Sequence, residues 1–518
     1  MKILNFLIGI SLLGNTMCLY AVESEKTTVF QIREKATGIN LIPEKRSDAP
    51  DYFCTWSTQG YVVNYSGVEN TRKMMNETNL FGSGQYEGWV NFFPEIREDL
   101  YFVLDDSWDI PLMVNGSDNE YLGLVELDTT RFPSFSGTAR VRLKKLVDQI
   151  ESSGWKGVGG WICAQESRFD TLSASPEKYW EKKLTDADFA GFDYWKVDWG
   201  KNDHVKSWRK MLTDWGHKYA PGLYIEHAMD ESYIEFSDVY RTYDVESVMS
   251  LPVTMNRIAG LLKYKTKGMA KGIINCEDEP YIAVGLGCAI GIMRYPFVKE
   301  LPDGCQDHVF PPVGRNLKKR LNEIVRAVRW HRIAGPFGVN DDAVIDENLF
   351  CDNWVLGERE TWVSRPVGDT LVVKAPARIS RNMPLAQIKN QSESSPYVLT
   401  SRYPNGAVAV VTLDRTLGRE CFLNKEVVRI SVKNVKHPIG IFGYYQSLII
   451  NVDEDMDVNR IRILAQDLAG KESFDITDRL EISEREINIP GDVIEAIGLM
   501  NQSKDDKSAP GLVMRVLY

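Results

Sequence analysis

Between residues 50 and 340 short apolar runs alternate with stretches whose apolar residues recur at helical spacing. The runs at 52–57, 100–104, 156–163, 194–197, 222–226, 239–244 and 271–275 predict strands. Leu143, Leu146, Val147 and Ile150 fall at i, i+3, i+4 and i+7 and predict a helix that Gly154 stops. Further helices are predicted over 67–78, 177–190, 203–219 and 258–264, the third with Val205, Trp208, Leu212 and Trp215 on one face. Roughly eight such alternations fit a (β/α)8 TIM barrel of about 250 residues or more, with an open doubly wound sheet as the alternative. Beyond about residue 350 the helical rhythm fades. The runs 370–373, 407–411, 427–432 and 461–464 lie between turn residues and predict an all-β domain. The division expected is a catalytic barrel over 50–345 and an all-β domain over 346–518, with a lead segment at 22–49. No internal repeat stands out.

A chain of 518 residues is long for one hydrophobic core, which agrees with two domains. The formal charge of −11 and the lack of a long basic run argue against nucleic acid or an anionic membrane as partner. Residues 1–21 carry a charged start, an apolar middle and a small exit residue, the pattern of a secretory signal. The segment is short for a membrane span, and Asn15-Thr16-Met17 lacks the small residues expected before a lipidated Cys18, so an exported protein with no membrane insertion after cleavage is expected. Eight scattered cysteines allow one or two disulfides without requiring them. No Cys-x-x-Cys, His-Glu-x-x-His or calcium-loop pattern occurs, and no metal or organic cofactor is expected.

The strands end in charge. Leu104 runs into Asp105-Asp106-Ser107-Trp108, and Val197 lies between Lys196 and Asp198. A β/α barrel presents catalytic side chains at those carboxyl ends. Lys196 and Asp198 share a strand face, so the lysine can help keep the carboxylate ionised, although a strand-end salt bridge has the same signature. Asp-Asp pairs are most often turns or caps, but this one closes an apolar strand. Adjacent carboxylates there can accept several hydroxyl hydrogen bonds.

The segments Tyr101-Phe102-Val103-Leu104-Asp105-Asp106-Ser107-Trp108, Arg131-Phe132-Pro133, Trp195-Lys196-Val197-Asp198-Trp199, Arg241-Thr242-Tyr243-Asp244 and Cys276-Glu277-Asp278-Glu279-Pro280 occur in the order seen in the melibiase-type α-galactosidases, clan D glycoside hydrolases. The chain resembles that family over about 50–300, and stretches 399–414 and 463–499 resemble its carboxy-terminal antiparallel β-sandwich. The resemblance implies retaining hydrolysis of terminal α-galactosidic bonds in an oligosaccharide or polysaccharide, with Asp198 as nucleophile and Asp244 as acid/base. It implies sugar contacts from Asp105, Asp106 and Lys196, and extends the expected substrate site to Trp56, Trp108, Glu226, His227, Arg241 and Asp278. Arg241 could equally pair with a carboxylate, and a lone histidine such as His227 is more often structural than a ligand or base. The family commonly has one more residue between its Arg and its acid/base Asp, which leaves Asp238, Glu246 and the Glu277-Asp278-Glu279 group as alternative donors. Its cysteines after the tandem Asp and after the nucleophile are Ser107 and Gly200 here, and Glu226-His227-Ala228-Met229 matches no recognised sugar-selecting type. A β-L-arabinopyranosidase or another α-glycosidase, and a non-catalytic carbohydrate-binding protein on the same barrel, are therefore the rival readings.

Overall fold

The computed structural model describes residues 32–59, 72–83, 87–114, 116–170, 175–242, 249–264, 272–293, 320–340, 343–357 and 366–518. The expected signal segment 1–21 lies outside these residues. Eight parallel strands close a barrel in chain order: β1 (Tyr52–Cys54), β2 (Tyr101–Leu104), β3 (Gly157–Ile162), β4 (Phe192–Val197), β5 (Tyr224–His227), β6 (Val239–Arg241), β7 (Ile273–Glu277) and β8 (Ala289–Ile292). Closure runs through Tyr52 opposite Gly291 and Phe53 opposite Ile292. The described helices of this region are α1 (Glu77–Phe81), α2 (Ala139–Ser152), α3 (Pro176–Ala190), α4 (Lys206–Tyr219), α5 (Ser250–Leu261), α6 (Pro280–Leu286) and α7 (Leu321–Ile333).

Local chemistry accounts for these boundaries. The Ser175 hydroxyl accepts from the Lys178 N–H, Pro176 occupies the first turn of α3, and Gly191 ends that helix in the left-handed region at φ 75°. Helix α2 buries Leu143, Leu146, Val147 and Ile150. The helix expected over 67–78 is broken: 67–71 lie outside the described residues, and the Asn76 side chain caps a separate α1 by accepting from Asn79 N–H. Helix α5 begins at Ser250, eight residues before the expected 258, with Pro252 in its first turn where a missing N–H costs nothing.

Inside the barrel the pleat sorts residues into layers. Tyr52, Tyr101, Tyr194 and Tyr224 form an aromatic layer, with Tyr194 5.3 Å from Tyr52, 5.9 Å from Tyr101 and 6.1 Å from Tyr224 between ring centroids. Gly159 makes room for it, because a Cβ there would lie 2.6 Å from the Tyr194 Cβ. Two residues further along β1, β4 and β5 the same face carries Cys54, Lys196 and Glu226. The tyrosines thus seal the barrel beneath a polar layer at its carboxyl mouth.

The second region is a sandwich of two mixed sheets, not purely antiparallel. One is eight-stranded, in the order Phe474–Asp475, Arg462–Asp467, Gly511–Leu517, Ile439–Phe442, Val408–Leu413, Tyr397–Arg402, Arg378–Arg381, Ala343–Ile345. Its Val408–Leu413 strand is parallel to Ile439–Phe442, and Arg378–Arg381 is parallel to Tyr397–Arg402. A five-stranded sheet packs against it through Val410, Ile430, Ile441, Ile450 and Met514. The opposite face of the larger sheet meets the barrel, where Phe442 contacts Tyr281 of α6 and Trp330 of α7 at 5.1 and 5.9 Å. Val408–Leu413 is buried on both faces, which is why it reads as a continuous apolar run without alternation. Because Ala343–Ile345 pairs with Arg378–Arg381, the chain has already joined the second domain's sheet by residue 343.

Candidate active site

The polar side chains at the mouth are delivered by several different strands. Lys196 Nζ lies 2.5 Å from Asp105 Oδ2, and the Cys54 thiol donates to the same oxygen at 2.8 Å. The other Asp105 oxygen accepts the Asp106 N–H at 2.7 Å. Burial pulls the Lys196 pKa down, but Asp105, Cys54 and Asp198 together raise it and leave the ammonium firmly charged. Burial, with Asp105 adding to it, pushes the Cys54 thiol well above its ordinary range, so it stays protonated.

Asp106 accepts from Arg72 Nε at 3.1 Å and Nη2 at 2.9 Å, and from the Ser107 hydroxyl at 2.9 Å. Burial raises its pKa, with Arg72 opposing. Arg72 is held in turn by the chain around Arg131, whose guanidinium donates to the Arg72 and Met75 carbonyls at 2.6 and 2.8 Å. Arg131 therefore acts on the loop beneath Arg72.

Asp198 follows β4 and is 7% exposed. Arg241 Nη2 donates to its Oδ1 at 3.0 Å and Trp161 Nε1 to its Oδ2 at 2.9 Å, while Arg209 donates to its backbone carbonyl at 2.5 Å. Burial pushes the carboxyl up, but Arg241, Lys196 and the Trp161 N–H together hold it below the ordinary value. The direct cation is thus Arg241; the neighbouring Lys196 pairs with Asp105 and acts on Asp198 only through space. Arg241 also lies 3.1 Å from Glu226 and 3.5 Å from Glu277. Glu226 accepts from the Tyr194 hydroxyl at 2.7 Å, and burial pushes its pKa up to about 7 in spite of Arg241 and Tyr194.

The expected residues divide accordingly. Asp105, Asp106, Lys196, Asp198, Glu226 and Arg241 converge at the carboxyl ends of β2, β4, β5 and β6. Trp56 is half-buried against the interior cluster that includes Cys54. Asp278 ends β7 in the left-handed region at φ 52°, its carboxylate accepting the Met293 N–H at 2.8 Å. Two expected sugar contacts are instead core residues. Trp108 is fully buried, donates to the Trp161 carbonyl at 2.9 Å and packs on Phe192. His227 has the outward parity on β5 and is buried between Arg209 and Thr213, 3.3 and 2.8 Å from its two ring nitrogens. Burial and Arg209 keep it neutral. Neither presents a surface to the mouth.

Among the alternative donors, Asp238 lies at the amino end of β6, accepting Ile225 N–H at 3.0 Å and contacting His217 at 2.8 Å, on the far side of the barrel from the mouth. Glu279 accepts from the Ser250 hydroxyl at 2.5 Å. Asp244 and Glu246 lie outside the described residues.

Sequence reasoning missed Trp161, Arg72 and Cys54, and held Glu277 only as an alternative proton donor. Trp161 had a signal, since Gly157, Gly159 and Trp161 share one parity on β3; Arg72 had none. Three non-glycine residues directly after barrel strands, Ser107, Met229 and Asp278, have φ of 86°, 87° and 52°, a concentration of backbone strain at the mouth. Among the described residues no cluster of three or more His, Cys, Asp or Glu could hold a metal ion.

No protein-family model matches the chain. No curated protein matches it by sequence. Among solved structures it is similar to a candidate α-galactosidase of Bacteroides fragilis (12% identity, 91% of this chain and 79% of that one, TM-score 0.40). It is also similar to a family 27 β-L-arabinopyranosidase of Geobacillus stearothermophilus (10%, 91% and 96%, 0.39) and to an Anoxybacillus α-amylase (10%, 90% and 98%, 0.40). At these values the chemistry rests on this chain's own residues.

The raised Glu226 pKa has a thermodynamic consequence. A carboxyl that binds its proton more tightly when folded contributes stability fully present below its ordinary 4.5 and lost as pH rises through about 7. Thermal midpoints measured from pH 4.5 to 7 should therefore fall more steeply in wild type than in Glu226→Gln. Buried Asp109, also pushed up to about 7, leaves part of the slope in both. Identical slopes would show that Glu226 titrates as an ordinary carboxyl.

Proposed function

We propose that the chain is a retaining glycoside hydrolase acting on a terminal α-galactoside or the stereochemically related β-L-arabinopyranoside, which is galactose without its C6 carbinol. The observation that carries this reading is Asp198: a carboxylate at the mouth of a β/α barrel, kept ionised by Arg241 at 3.0 Å and oriented by Trp161 at 2.9 Å, beside the buried Lys196–Asp105 pair. The order of the family-like motifs narrows the sugar. An exported location and a saccharide partner, without nucleic acid or membrane insertion, belong to the same proposal.

Asp198 attacks the anomeric carbon and forms a glycosyl ester as the bond to the leaving oxygen breaks; Asp244 gives that oxygen its proton. Water then cleaves the ester with Asp244 as base, restoring the starting configuration. Asp105 and Asp106 accept hydrogen bonds from sugar hydroxyls, and Lys196 fixes Asp105 and donates to the sugar. Forming the ester removes the negative charge of Asp198. Arg241 keeps Glu277 as its counter-charge at 3.5 Å, with the Glu226 carboxyl beside it at 3.1 Å, so the guanidinium is not left buried and uncompensated.

Wild type incubated with nitrophenyl α-galactoside, β-L-arabinopyranoside, α-N-acetylgalactosaminide and α-glucoside should release nitrophenol from one of the first two. Asp198→Asn should lose turnover on the order of a thousandfold or more while still binding the sugar. Binding without turnover by wild type would leave a carbohydrate-binding protein instead. The acid/base assignment is separable. Asp244→Ala should fail badly on natural sugars and less on aryl glycosides, and azide should restore aryl turnover with retained configuration, since azide needs no base. Equal losses on both substrates and no azide effect would move the proton donor elsewhere.

The pH profile tests the environment of the nucleophile. Only ionised Asp198 reacts, and its depressed pKa places the acid limb of kcat/KM at low pH. Trp161→Phe removes one donor to a charged acceptor, an effect of about 1.5–3 kcal/mol, so the limb should move up by about one to two pH units. An unmoved limb would show that Trp161 does not govern the ionisation of Asp198.

A further inference from the structure

Outside the charged floor the mouth carries an aromatic surface that the two-carboxylate reading does not use. Trp161, which donates to Asp198, lies 5.5 Å from Trp199 between ring centroids. Trp161, Ile110, Leu122 and Cys163 form one buried cluster, against which Tyr121 and Trp199 pack partly exposed. Tyr121 in turn stacks on Phe169 at 4.6 Å with 30° between the ring planes. Phe169 is 55% exposed. Two ring pairs therefore meet at one apolar cluster, Trp161–Trp199 beside Asp198 and Tyr121–Phe169 reaching the solvent edge.

The exposure of Phe169 is held in place by the loops around it. Phe169 N–H donates to the Glu120 carbonyl at 3.0 Å, the Ser167 hydroxyl donates to the same oxygen at 2.6 Å, and Arg168 pairs with Asp118 at 3.1 Å. The loop after β3 is tied to that after β4 by Ala164 N–H to Trp199 carbonyl and Asn202 N–H to Ala164 carbonyl, both at 2.9 Å. Holding a phenyl ring half in water costs solvation free energy that an incoming apolar surface would recover. A pyranose offers such a surface in the C–H groups of its ring face, while its hydroxyls point outward to water.

We infer that Phe169 and Tyr121, with Trp199 nearer the reacting bond, bind the sugar unit next to the one being cleaved, so that the substrate is an oligosaccharide whose second residue is a pyranose. This rests on the glycosidase reading above. The rings supply a flat apolar platform and the carboxylates supply hydroxyl recognition one unit away. Stacking that is equal in ground and transition states appears in KM and leaves kcat nearly unchanged.

The test compares Phe169→Ala and Phe169→Tyr with wild type on two kinds of substrate: pyranosyl fluorides (α-galactosyl and β-L-arabinopyranosyl), whose leaving group is a single atom, and a galactose-terminated trisaccharide. The expected result for Phe169→Ala is a KM for the trisaccharide raised up to about tenfold with fluoride hydrolysis unchanged, and near-complete recovery in Phe169→Tyr. An unchanged KM for the trisaccharide, or an equal loss on both substrates, overturns this inference alone. No fluoride release by wild type overturns the glycosidase reading and this inference with it.

Discussion

The guanidinium of Arg241 is the charge on which the barrel mouth depends. It is 2% exposed and faces Asp198, Glu226 and Glu277 from inside a closed sheet. Placing a cation there is costly unless its partners are close, and placing those carboxylates there is costlier still without it. Two buried cations, Lys196 and Arg241, face four carboxylates at the same level: Asp105, Asp198, Glu226 and Glu277. The imbalance is relieved at Glu226, the group that burial drives toward a neutral, protonated form. Asp198, closest to the cation's fork and bonded to an indole N–H, keeps its charge. Environment thus gives two carboxyls on adjacent strands opposite tendencies, which is the condition for assigning them different chemistry.

That arrangement requires a dry floor. The tyrosine layer of Tyr52, Tyr101, Tyr194 and Tyr224 provides it, and Tyr194 serves twice, filling the interior with its ring and donating its hydroxyl to Glu226. Gly159 is the constraint on the other side of the same ring, since any side chain there would occupy Tyr194's space. Packing and electrostatics are therefore not separable at this level of the barrel: the residues that exclude water also fix the carboxylate geometry.

The barrel was legible because parallel strands covered by helices leave two distinct periods in the chain, and the strand ends were legible because charge interrupts apolar runs abruptly. Asp105, Lys196 and Asp198 could be placed at one mouth on that basis, whereas Arg241 entered only through the family resemblance. Parity explains what was misjudged. His227 follows Glu226 by one residue, so when Glu226 points inward His227 must point to the helices, where Arg209 and Thr213 receive it. Trp108 lies past the strand, where parity no longer decides, and its large apolar area takes it into the core. Arg72 was invisible because nothing local marks its pairing with Asp106, 34 residues further along the chain. The antiparallel β-sandwich expected in the second domain is there, but its parallel pairs were not legible, because a one-dimensional pattern shows that strands exist and not which neighbours they take.

Two strands and a helix converge on Asp198 without any of them being its own: Trp161 from β3, Arg241 from β6 and Arg209 from α4 grip both carboxylate oxygens and the backbone carbonyl. A carboxylate held at so many points has little rotational freedom left to lose when a substrate arrives, so orientation is settled during folding. The same grip has a chemical cost, since every donor that keeps Asp198 ionised also draws density from its oxygens. In the proposed glycosidase reaction that balance calls for assistance to the departing group, and so for a proton donor beyond these residues. On that reading the hydrogen bonds around Asp198 and the need for a separate acid are two consequences of one choice, a buried carboxylate stabilised by a buried cation.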